Sequence, residues 1–82
     1  MVTIHRAHGL RFMIFVDDHE PPHVHVFGDG ELKIVIRGAD GLPEIVDEIG
    51  MKAGDRRRAM DVVRDQQSAF LMHWNKIHGV KP

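Results

Sequence analysis

His23-Val24-His25-Val26-Phe27, Gly28-Asp29-Gly30 and Glu31-Leu32-Lys33-Ile34-Val35-Ile36-Arg37 form two alternating runs joined by a glycine-bounded turn. Side chains on a strand point to opposite faces in turn, so a period of two sorts each run into two faces. Leu32, Ile34 and Ile36 share one face, and Lys33, Val35 and Arg37 share the other. His23 and His25 likewise point the same way. A Gly-Asp-Gly turn between two such runs is a hairpin signal. One-sided alternation is characteristic of an antiparallel sheet with one face against a core.

Upstream, Leu10 to Val16 is apolar except for Arg11 and reads as a central strand, ended by Asp17-Asp18. Val2 to Arg6 offers a short additional strand before the His8-Gly9 turn. Downstream, Gly38 to Gly41 is a turn, and Pro43 to Ile49 reads as a weaker edge strand, because proline lacks a donor for the ladder. From Ala53 the period lengthens. Met60, Val63, Gln67, Phe70, Trp74 and Ile77 step by three or four, the stripe of an amphipathic helix. Asp55 is the expected cap, Gly79 the left-handed terminus, and Pro82 a stop. An unbroken helix over 54–78 would run about 37 Å, longer than so small a domain is wide. The spacing therefore predicts a break near Asp65 to Ser68, or a protruding end used for homodimerisation.

The fold expected is α+β in one domain, 1–82: a three- to four-stranded, mainly antiparallel sheet followed by a C-terminal helix or broken helix pair packed on one face. Leu10, Phe12, Ile14, Val16, Val24, Val26, Ile34, Ile36, Met60, Val63, Phe70 and Trp74 are the expected core.

A net charge of −1 over 82 residues hides an asymmetry. Residues 1–50 carry four basic and nine acidic side chains, and residues 51–82 carry seven basic and three acidic. Such a split suits a self-associating surface or a modest basic face, and falls well short of a dedicated nucleic-acid binder. No cysteine is present, which excludes disulfides and thiolate metal sites. The absence of a run of about 18 apolar residues argues against a membrane span. Met1 to Leu10 carries no recognisable secretory signal, so a cytoplasmic location is expected.

The chemistry-bearing residues concentrate in His19-Glu20-Pro21-Pro22-His23-Val24-His25. As a metal site, His23 and His25, with His19 or an acidic neighbour (Asp17, Asp18 or Glu20), supply three donors suited to a divalent transition metal such as zinc or nickel, or to ferrous iron. As acid–base groups, His23 and His25 are the candidate catalytic residues for metal-free RNA cleavage. As scaffold, the imidazoles hydrogen-bond Trp74, Asn75 or backbone carbonyls and pin strand to helix. Arg56, Arg57, Arg58 and Arg64 are the candidate contacts to phosphates or to an acidic partner. Three arginines in a first turn oppose the helix dipole, a small argument for an acidic partner, including the acidic half of this same chain.

The ordered set of Phe12 to Val16, Asp17-Asp18, Glu20-Pro21-Pro22-His23-Val24-His25-Val26, Gly28 to Glu31, Ile49-Gly50-Met51 and Phe70-Leu71-x-x-Trp74-Asn75 resembles a widespread bacterial domain-of-unknown-function family of small proteins with a Glu-Pro-Pro-His-x-His-Val signature. The resemblance implies one half of a two-gene cassette of toxin–antitoxin type, beside a cognate small DNA-binding protein. No settled activity comes with it. Three readings of function follow: a cassette component binding that cognate protein and RNA, a small metal-binding protein using the histidine cluster, and a non-catalytic interaction module.

Overall fold

The computed structural model describes residues 1–79. Five strands precede two helices: β1 (Val2–Ala7), β2 (Leu10–Ile14), β3 (His23–Phe27), β4 (Glu31–Val35), β5 (Glu44–Ile49), α1 (Ala53–Asp65) and α2 (Gln67–His78). The strands form one sheet in the order β1-β2-β3-β4-β5, each antiparallel to the next. The fold is α+β, with five strands rather than three to four. Both outer segments pair with a buried inner strand, each with one register shift, at Ile4 in β1 and at Val46 in β5.

One face of the sheet carries the core. Phe12, Ile14, Val24, Val26, Leu32 and Ile34 are almost fully buried, against Met51, Ala59, Val62, Val63, Phe70 and Trp74. Two expected core residues lie elsewhere. Val16 is 59% exposed, because β2 stops at Ile14 and the period of two does not extend past it. Met60 is only partly buried and packs on the cluster's margin. Leu32, Met51, Ala59 and Val62 complete the core.

The long helical pattern breaks at Gln66, inside the predicted interval. Gln67, a polar residue on the apolar stripe, donates from Nε2 to the Ile36 carbonyl (2.8 Å) and the Gly41 carbonyl (2.9 Å), pinning the start of α2 to the β4–β5 connection. Asp55 does not cap α1. The helix begins one turn earlier, after Lys52, and Asp55 pairs with Arg58 inside the first turn. Gly79 takes the left-handed conformation (φ 66°) and donates its N–H to the Asn75 carbonyl. Pro82 lies outside the described residues. A side chain at Gly30 would press on the backbone of Ile49 and Gly50, so the β3–β4 turn needs glycine where it passes the end of β5.

Among the described residues no helix is long and apolar enough to cross a membrane. Gln67→Ala should destabilise the protein by about 1–2 kcal/mol, the loss of two side chain-to-backbone bonds, measured by urea unfolding. An unchanged midpoint would show that α2 is positioned by apolar packing alone.

Candidate functional site

Beyond Ile14 the chain turns back on itself through Asp18. Its backbone N–H donates to the Phe15 carbonyl, and its Oδ2 accepts the Phe15 N–H at 3.0 Å. Aspartate supplies such turns because its short carboxylate reaches nearby backbone donors. The turn also aims Asp18 at the start of β3. The Glu20–Pro21 peptide bond is cis. Glu20 then fastens the loop to α2 by accepting the Trp74 indole N–H at 3.4 Å.

Alternation along β3 puts Val24 and Val26 in the core and turns His25 onto the sheet face that the helices leave uncovered. His25 Nε2 lies 3.2 Å and 3.3 Å from the two oxygens of Asp18, so Nε2–H donates to the carboxylate. Its ring stacks on Phe15, with centroids 4.3 Å apart. His23, at the strand entrance, is 3% exposed and meets Trp74 at 5.2 Å.

The tautomer of His23 follows from its partner. A carbonyl oxygen only accepts, so His23 Nδ1–H donates to the Pro21 carbonyl at 2.8 Å. His23 Nε2 is then a lone pair in the neutral ring. It is buried without a hydrogen-bond partner and lies 3.4 Å from Asp18 Oδ2. Two lone pairs facing each other repel unless a cation, a proton or a metal ion, stands between them. The side chain of Asp18 is only 14% exposed. Burial by itself would raise its pKa. The Phe15 N–H, the His25 hydrogen bond and the nearby imidazoles outweigh that effect and hold the carboxyl below its ordinary value.

One donor atom from each of Asp18, His23 and His25 lies within 4.8 Å of the others. Donors about 2.1 Å from a shared ion stand about 3.0 Å apart at octahedral angles and about 3.4 Å apart at the tetrahedral angle. The separations of 3.2 Å and 3.4 Å from Asp18 Oδ2 to the two imidazoles fall in that interval. His19 is exposed and outside this group, its place taken by Asp18. Asn75 is exposed and contributes no side chain to the cluster.

The arginines do not form one free basic face. Arg56 binds Glu48 of β5, Arg58 pairs with Asp55 at 3.2 Å, and Arg64 pairs with Asp61 at 3.5 Å. Arg57 is exposed. The acidic partner for the first helical turn is thus partly the sheet of the same chain. His5, in the polar start of the chain, packs edge-on against Phe12 and Phe70.

A family model matches residues 9–75, most of the chain, and is described as a domain of unknown function (DUF4160). No curated protein and no solved structure matches the chain.

The Asp18 shift carries a stability consequence. A carboxylate whose pKa is lower folded than unfolded contributes stability that is present above the unfolded value, about 3.9, and lost as pH falls through the folded one. In chelator-treated protein, melting temperature should drop as pH falls below about 4. Asp18→Asn should flatten that limb. Parallel acid limbs in the two proteins would show that Asp18 is not linked to folding.

Proposed function

The chain belongs to the DUF4160 family, a domain of unknown function, and on the geometry of its cluster we propose that it is a small metal-binding protein. Asp18, His23 and His25 hold one divalent transition ion, zinc or nickel, with a coordination position left open. The observation that supports this reading most strongly is the buried, unpartnered Nε2 of His23 facing the Asp18 carboxylate. Its other ring nitrogen is already committed to a backbone carbonyl, the arrangement that orients metal-ligating imidazoles elsewhere.

Two imidazoles and one carboxylate suit zinc, nickel or ferrous iron. Three protein ligands would leave a further position open, and Asp18 and His23 also border a hollow lined by Asp17, His19 and Glu20. An ion with such a position supplies Lewis acidity and lowers the pKa of a bound water toward about 7. Asp18 and the two histidines are held by short local contacts, so little of the site must be ordered when the ion binds.

Isothermal titration with Zn²⁺ and Ni²⁺ should give one ion per chain. Removing even an outer partner of a ligand costs about 10–100-fold in affinity, so Asp18→Ala and His25→Ala should each cost at least that. His19→Ala should bind normally. Histidine NMR shifts that do not move at stoichiometric Zn²⁺ or Ni²⁺ would overturn the proposal.

The cassette reading keeps one observation in its favour. Leu42, Val46 and Ile49 are exposed on or beside β5, whose outer edge pairs with no strand among the described residues. Such an edge can accept an extended segment of a partner, here the cognate small protein. In this reading expression arrests growth, the cognate protein relieves it, and His23→Ala with the fold intact abolishes the effect. Normal growth on expression of the wild-type chain counts against a toxin role.

A further inference from the structure

We propose that the hollow beside the Asp18–His23–His25 cluster binds a small organic anion, with Lys33 holding its charged head next to the ion. The inference rests on the metal reading and names the ligand class of that site.

The hollow, of about 410 Å³, lies on the uncovered side of the sheet and is bordered by Asp18 and His23 together with Lys33, Val35 and Val46. A second hollow on the same face is also bordered by Lys33, together with Phe15, His25 and Phe27. Lys33 is the cation common to both. It stands directly opposite His25 in the β3–β4 register. Opposed Cβ atoms are about 4.5–5.5 Å apart, so an ammonium on a four-carbon stem reaches an anion seated beside His25. Asp47 faces Lys33 from β5 in the register, yet Lys33 makes no ion pair among the described residues. A half-buried cation without a partner, next to an ion with an open position, is a pair of attachment points for one oxyanion.

The surroundings limit what that anion is. Asp17 and Glu20 border the same hollow, and Glu31, Asp47 and Glu48 border its neighbour. These carboxylates repel an extended polyanion along both approaches, which argues against a nucleic-acid strand. Inside the rim, the ion, Asp18 and Lys33 together carry net positive charge, suited to a single anionic head. Val35 and the half-exposed Val46 give the hollow an apolar wall. A carboxylate head on a short apolar body matches this distribution. The head ligates the ion and pairs with Lys33, and the body covers the valines.

Cobalt provides a readout independent of any activity, because its visible spectrum reports both loading and a new ligand. Co²⁺-loaded protein should respond to acetate and more tightly to butyrate, by about fourfold for each methylene buried against the valines. Inorganic phosphate tests the alternative head, and a short oligonucleotide the polyanion. Lys33→Gln should weaken butyrate about tenfold or more at unchanged cobalt affinity, and Lys33→Arg should restore much of it. A normal cobalt spectrum that butyrate leaves unchanged, or equal butyrate affinity in Lys33→Gln, overturns this inference alone. Tighter binding of the oligonucleotide than of butyrate also overturns it. Failure to load cobalt overturns the metal reading and this inference with it.

Discussion

Val24 and Val26 alternate with His23 and His25, so the helices that bury the valines turn His25 onto the uncovered sheet face. Burial of one sheet face is the dominant favourable term in a chain this small, and the pleat leaves no freedom about the other face. His25, Lys33 and Val35 therefore end up together without any contact selecting them. At the strand entrance the two surroundings meet. His23 packs on Trp74 of the helical layer, while its Nε2 points at the Asp18 carboxylate.

Asp18 links local chain geometry to the site. The same carboxylate that accepts the Phe15 N–H and ends β2 also faces both imidazoles. Ending the strand and completing the cluster are thus one structural event. The loop that carries it is held at its far end by Glu20 on the Trp74 indole, which ties the position of Asp18 to the packing of α2. A displacement of α2 would be felt at the cluster through this contact.

Much of the fold was legible in the residues. The β3–β4 alternation and the change of period at Ala53 follow from local patterns, the interruption near Gln66 from helix length against domain width, and the structure has all three. The misreadings differ in cause. Val16 belongs to the apolar run, but its strand is cut short by a hydrogen bond from a residue outside the run. Asp55 has the right chemistry for a cap, but α1 starts earlier, after Lys52, which makes no side-chain cap bond. Gln67 sits on an apolar stripe because it serves two carbonyls some 26 and 31 residues away in sequence. At Val16 a competing local turn overrides the apolar run, and at Gln67 a long-range contact overrides the stripe.

By itself the sequence determined the class of fold, the shared face of His23 and His25, and the absence of thiolate chemistry. Each follows from a short-range rule: the period of a strand, the period of a helix, or composition. The tertiary structure alone decided which acidic neighbour joins the histidines. Asp17, Asp18, His19 and Glu20 all lie shortly before His23 in sequence, and the turn through Phe15 makes Asp18 face inward while His19 faces solvent. It also decided that Lys33 stands beside His25, because strand register depends on the turn and on what both strands bury, and neither is contained in one strand's pattern.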